Sequence, residues 1–477
     1  MGLGRTPSIP SGALATAEGS SAQVAHLARA ARPTTRRGAL QWGAALLAAG
    51  ASGAACGPKK PDGGGETSET QRVTYWHWGT EGDLDRERRT AAQFRERYPN
   101  VEVEVVLHGQ NFDEQIAAAF SGGAPPDVHA LDMQVVQARG KHNVLVDLRA
   151  HLKPDKTLSL ASFEQAPMAK LALQVMSYRE QVLGLPGEAE PNVYVYNADL
   201  FRAAGLKTPH ELWKEDRWTW EAFTDSVVKL VRRQGDAWRV AGATAGLHRL
   251  WMNTAGGKEF DDVKAPKRCL YDDGSSVEGL ALAGDLRHRY RVTPLNFNRE
   301  VGLNETEAFV TGRVAMVAGW TSGLSALKGI GGFKWGMVPY PKKKGYAVDF
   351  ATSGPAIAKG SKVRAAAWEW LKFRQGPEGQ AVRAAEGTAV GFQPEARKVL
   401  QEALGAIPSL ETPAALVELL EGGRHSFVRL LSAAQAQIHG ELINPELNKV
   451  WRNEEAAADT ARRVAAAVNG FLRTHPQ

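Results

Sequence analysis

A chain of 477 residues is too long for one ordinary core, so two or three domains is the natural expectation. With 43% hydrophobic residues, 23% charged residues and a mean hydropathy of −0.32, it has the composition of a soluble globular protein. The formal charge of +6 owes +4 to the first 56 residues, where Arg5, Arg29, Arg32, Arg36 and Arg37 face only Glu18; the remainder carries +2. No basic stripe with interleaved aromatics supports nucleic-acid binding, and Lys342-Lys343-Lys344 reads as a solvated turn.

The first informative segment is Arg36-Arg37 followed by GALQWGAALLAAGASGAA, 18 residues without charge. Spanning a membrane wants roughly 20 strongly apolar residues, and this run is rich in Gly and Ala. A basic flank, a brief apolar core and small residues before a processing point make a secretory signal over 1–56. The paired arginines resemble a twin-arginine export leader. Gly53, Ala54 and Ala55 before Cys56 resemble a bacterial lipobox, in which the cysteine is acylated, although Gly53 stands where Leu is commoner. GPKKPDGGGETSETQ then offers nothing to a core, and 57–71 reads as a flexible linker. The other cysteine, Cys269, reads as a free, semi-buried thiol.

From Arg72 onward strands and helices alternate. VTYWHW (73–78) is a β-rich run; the next segment places Leu84, Ala91, Phe94 and Tyr98 at helical spacing and ends at Pro99. VEVEVV (101–106) alternates as a strand, FDEQIAAAF (112–120) predicts a helix stopped by Gly122-Gly123, and PPDVHALD (125–132) predicts a strand ending in a carboxylate. Pro186 and Pro191 bracket a predicted loop before VYVYN and a short helix closed by Gly205. Further along come a helix in 218–233, a helix, turn and strand in 305–320, a strand at 335–341 and an amphipathic helix carrying Ala366, Trp370 and Phe373. The last 80 residues read as helical, which makes the whole an α/β protein.

Enzyme motifs fail on chemistry. GWTSG (319–323) mimics a nucleophile elbow but carries Thr where Ser is required. No GxGxxG occurs, AGGKEF lacks the Ser or Thr of a phosphate loop, and the 12 histidines show no HExxH or paired metal spacing. Sequence does not exclude a glycosidase carboxylate pair, whose geometry is three-dimensional.

The order of motifs resembles the extracellular solute-binding proteins of ABC importers, in particular the sugar-binding group that includes maltose-binding protein. The resemblance rests on FRERYPNVEVEV, AFSGGAPPDVHALD, LVDL, GLP…VYVYNADLFRAAGL, WTWEAF, EAFVTGRVAMVAGW and SGPAIAKGSKVRAAAWEWLKF, and covers nearly all of 72–477. It implies a periplasmic-binding-protein-like fold, two α/β lobes joined by a hinge around an interlobe ligand cleft. The expected division is 72–184 continued by 349–391 for one lobe and 185–348 continued by 392–477 for the other, with crossings near 185–194, 349–353 and 391–394. The implied function is capture of a sugar or oligosaccharide outside the cytoplasm by a membrane-anchored lipoprotein, and delivery to ABC permease subunits. A monomer without cofactor, metal or catalytic residue is expected. The alternatives are a surface-anchored carbohydrate-active enzyme, a sensor subunit, or a binder of another solute such as a polyol phosphate.

Sugars present C–H patches to aromatic faces and hydroxyls to carboxylates, and in open α/β sheets ligands lie beyond the carboxyl ends of strands. Trp78, with Glu81 close behind, ends the first strand, and Trp76 lies on the same strand face. Asp132 stands at the next strand end, where a helix cap is the competing role. Glu190, with its neighbour Glu188, falls where the family often places a hydroxyl-binding carboxylate. Trp251 and Trp320 fall in segments that supply cleft aromatics in relatives, with core packing the alternative. Tyr340 and Asp349 bracket the second crossing and complete the expected ligand-binding set.

Overall fold

The computed structural model describes residues 70–475 apart from 110, 156–157, 165–166, 388 and 423–429. Arg36, Arg37 and Cys56, the signal segment and nearly all of the linker lie outside the described residues.

The first sheet has four strands. Gln71–Trp78 lies between Val101–His108 and Val128–Asp132, parallel to both, and Ser353–Ile357 runs antiparallel along the outer side of Val128–Asp132. In Gln71–Trp78 the period of two sends Val73, Tyr75 and His77 inward and leaves Trp76 and Trp78 half-buried on the other face. The following helix, Glu81–Arg97, opens with a capping box in which Thr80 accepts from the Asp83 amide and Asp83 accepts from the Thr80 amide. It buries Leu84, Glu87, Thr90 and Phe94, three or four residues apart, against the sheet and the helix Arg364–Gln375.

The second sheet is organised by one strand, Glu188–Asn197. Its C-terminal half pairs with Met316–Trp320 and Trp335–Val338, while its N-terminal half pairs with Phe350–Ala351 and Val390–Gly391. The loop expected at Pro191 is therefore strand. Proline lacks the donor of a continuous ladder, but its partners here are two-residue strands that demand little of it. Phe350–Ala351 leaves this sheet and, after Thr352, continues as Ser353–Ile357 in the first. Gly354 lies where a Cβ would stand 2.2 Å from the Leu185 carbonyl oxygen, so two chain segments touch backbone to backbone at this junction.

One face of the second sheet buries Tyr194, Trp218, Phe223, Trp251 and Tyr340, and the other buries Val193, Val195, Val317 and Trp335. C-terminal helices Asn444–Trp451 and Ala457–Thr474 enclose Tyr271, Leu447, Val464 and Val468 in a further cluster beside Gly274–His288.

Candidate functional site

The carboxyl ends of strands from both sheets meet in a seam of aromatic and acidic side chains. Trp78 closes its strand before Gly79, whose φ of +138° turns the chain into the first helix. The Trp78 ring meets Phe112 edge to face, centroids 5.2 Å apart, which brings Phe112 and its neighbour Asp113 to the same rim. Trp76 packs on His108 at 4.3 Å, and Glu81 is exposed in the first helical turn.

Asp132 ends the third strand, and its Oδ1 accepts the Gln134 amide at 2.8 Å. Burial raises the pKa of Asp113, and the Asp132 charge adds to it against the opposing Arg139 guanidinium. Glu190 joins them from the crossing strand. Burial, and next the charge of Glu188, lift its pKa to about 7; the Ser322 hydroxyl opposes this as a hydrogen-bond donor, and Asp132 adds a further push. Trp320 stands opposite Asn192 across the strand pair, half-buried and two residues before Ser322. The seam thus runs from Trp78 through Asp113, Asp132 and Glu190 to Ser322 and Trp320.

Four residues of the expected ligand set have other employment. Trp251 is fully buried, with its indole N–H donating to Ala245 O at 2.7 Å. Tyr340 is fully buried too; its hydroxyl donates to Asn192 Oδ1 at 3.1 Å and accepts the Leu247 amide at 2.9 Å. Both complete the aromatic core on one face of the second sheet, Trp251 carried by the helix His248–Thr254 and Tyr340 by the segment after the strand Trp335–Val338. Asp349 is buried, and its Oδ2 accepts from Nε and Nη2 of Arg249, each at 2.9 Å. Glu188 accepts from Arg383 Nε at 2.9 Å; burial would raise its pKa, but the Arg383 and Arg374 guanidinium groups outweigh that and lower it.

The sequence reading missed Phe112, Asp113, Ser322 and Arg249. Ser322 lies inside the GWTSG run that fails as a nucleophile elbow, and its neighbours Gly319 and Trp320 were the available signal. Arg249 carries no local signal, since its partner is 100 residues distant.

Two surface concavities bracket the question of where a solute sits. One of ≈ 290 Å³, lined by Arg72, Pro125, Asp127 and Lys362, lies at the amino ends of the strands, the wrong end for a ligand in this architecture. The other, ≈ 210 Å³, is lined by Arg249, Asn253, Lys258 and residues 259–263, on the second-lobe side. Among the described residues no group of three or more His, Cys, Asp or Glu is placed to hold a metal ion.

A chain built as two α/β lobes, laced together by strands that serve both and carrying an aromatic and acidic seam between them, is a two-lobed solute-binding protein. The chain belongs to the bacterial extracellular solute-binding protein family, whose profile matches residues 85–381. Its place of work is therefore outside the cytoplasm, and among the described residues no helix is long and apolar enough to cross a membrane. It is similar to an ABC substrate-binding protein of Listeria monocytogenes solved with cycloalternan, at 19% identity and a TM-score of 0.69 over 85% of this chain and 100% of that one. A cyclic α-maltosyl-1,6-maltose binding protein from Arthrobacter globiformis gives 17% identity and 0.68 over 85% and 99%. Maltose-bound MalE3 of T. maritima gives 19% and 0.64 over 84% and 99%.

Proposed function

We propose that this protein captures a sugar or oligosaccharide between its lobes and delivers it to an ABC permease. The observation that carries the reading is the seam itself: half-buried tryptophans at strand ends of both sheets flank a row of carboxyl groups and one hydroxyl. Flat rings match the C–H faces of a pyranose, and acceptors match its hydroxyls. Trp78, Trp320, Asp132 and Glu190 form the proposed contact set, with Trp76 and Glu81 at its edge and Asp113 and Ser322 added. The ligands of similar proteins, cycloalternan, maltose and cyclic α-maltosyl-1,6-maltose, agree with this class.

The lobes are proposed to divide at 72–184 with 349–391 and at 185–348 with 392–477. The strands Glu188–Asn197, Phe350–Ala351 and Val390–Gly391 would then be the hinge. Bending there opens the seam, and closure on the solute creates the surface a permease reads. No catalytic step is assigned. Cys56 is proposed as an acylated anchor behind a twin-arginine signal at Arg36-Arg37, with the monomer working beside the membrane. Mass spectrometry of the native N-terminus tests the anchor, and an unacylated start beyond Cys56 refutes it.

The function is tested by intrinsic tryptophan fluorescence against a panel of neutral mono- and oligosaccharides, followed by product analysis. Saturable stoichiometric binding without turnover supports the reading. Turnover makes the protein a carbohydrate-active enzyme, and silence across the panel removes sugar as the ligand.

A further inference from the structure

The second lobe sends a compact loop, residues 260–269, to the end of the first-lobe helix Pro167–Val175. Asp261 Oδ1 accepts the amides of Asp262, Lys267 and Arg268 at 2.9, 3.0 and 3.0 Å, and Asp262 Oδ1 accepts those of Lys264 and Ala265, both at 2.8 Å. Two side-chain acceptors thus satisfy five amides, and a backbone bridge between Phe260 and Cys269 closes the base. A loop so tied presents its tip in a fixed shape before anything touches it.

The tip is Val263-Lys264, and both residues engage the first lobe. Val263 packs against the cluster containing Leu131, Met133, Val175 and Met176. Lys264 Nζ donates to the carbonyl oxygens of Gln174 and Ser177, the latter at 3.0 Å, at the C-terminal end of the helix Pro167–Val175. The Gln174 carbonyl is in the last turn of that helix, where carbonyls lack helical partners and carry the negative end of the helix dipole, so an ammonium group is its complement; the Ser177 carbonyl, in the strand just beyond, is shared with Gln137 Nε2 at 3.0 Å. A second strand of contact lies alongside: Leu431 is fully buried in the same first-lobe cluster, its amide donates to Val263 O at 2.6 Å, and Gln435 Nε2 donates to Gln134 Oε1 at 2.9 Å.

We infer that Lys264 is an affinity-determining residue that touches no solute: it latches the second-lobe loop onto the first lobe and so sets the balance between closed and open forms. The inference rests on the hinge reading above. Opening the seam must break the Lys264 bonds, expose Val263 and Leu431 and separate Gln134 from Gln435. Every solute that binds the closed form then gains or loses affinity with the closed fraction.

The test uses the full chain without added sugar, by small-angle scattering and hydrogen exchange. Lys264→Ala, which removes both charge-assisted hydrogen bonds, is expected to raise the radius of gyration and to speed exchange of the Leu431 amide at least about tenfold. Lys264→Arg, which keeps a cationic donor, is expected to leave both at the wild-type values. Faster exchange at Leu431 with an unchanged radius makes the contact local and overturns the inference, as does no change in either. A Val263→Asp, Lys264→Ala, Gln435→Ala triple variant separates the two readings. If it opens the protein while Lys264→Ala does not, the latch assignment fails alone; if it too keeps the wild-type radius, the hinge reading fails with it.

Discussion

Arg374 grips Glu87 with two hydrogen bonds, Nε to Oε2 at 2.8 Å and Nη2 to Oε1 at 2.7 Å, at a position where the glutamate side chain is fully buried. The pair joins the first helix to Arg364–Gln375. It continues through Gln375, whose Oε1 accepts from Arg383 Nη2 at 2.6 Å, to Arg383 and Glu188 at the start of the crossing strand. Thr352, between the two returning strands, donates to the Glu188 carbonyl at 2.7 Å. A polar network therefore anchors the start of the strand Glu188–Asn197, and it engages the Glu188 carboxylate with Arg383.

Removing one partner of such a pair strands the other charge in a dry site. Arg374→Ala is expected to cost about 3–5 kcal/mol of stability. Arg374→Lys should recover only part of it, since a point charge cannot make both bonds. Urea denaturation of the three proteins checks the order, and a loss below about 1 kcal/mol for the alanine variant would contradict it.

Two histidines are buried in the first sheet, His77 beside Glu87 and His129 on the opposite face beside Phe120. Burial pushes the pKa of His77 and of His129 down to about 4, the former despite the nearby Glu87 carboxylate. Unfolded imidazole titrates near 6.5, so as pH falls from about 6.5 to 4 the unfolded chain takes up protons that the folded chain refuses. Stability is expected to drop through that window, each histidine adding up to about 1.4 kcal/mol per pH unit. His129→Asn should flatten the profile of urea midpoint against pH; an unaltered slope would refute the assignment.

Glu190 behaves in the opposite sense. Its folded pKa, lifted to about 7, lies above the unfolded value near 4.3, so the folded form is favoured below that value and loses stability as pH climbs through 7. Glu190→Gln is expected to gain about 1–2 kcal/mol over wild type at pH 8 and little at pH 4. Calorimetric melts at the two pH values check this, and equal shifts at both would remove the titration from the explanation.

Trp320 and Trp251 should separate binding from packing. Trp320→Ala is expected to weaken the cognate sugar by more than threefold, since a lost stacked ring costs over ~1 kcal/mol, with little effect on folding. Trp251→Ala should instead destabilise by about 3–5 kcal/mol. Isothermal calorimetry and thermal melts on both variants decide, and a normal affinity for Trp320→Ala would exclude that ring from the site.

Local pattern carried much of this protein. Alternation and spacing in residues 72–132 suffice for the β-α-β-α-β opening, because period two and period 3.6 are properties of neighbours in the chain. The strand-end tryptophans Trp78 and Trp320 follow from the same pattern, since a strand end is a local event. Tertiary structure alone decided which conspicuous residues were already spoken for. Trp251, Tyr340, Glu188 and Asp349 look like ligand groups until their partners Ala245, Asn192, Arg383 and Arg249 arrive, in most cases from 100 or more residues away. Pro191 looked like a break until two short strands flanked it. Burial and pairing are set by what folds back onto a residue, and a linear pattern does not contain that information.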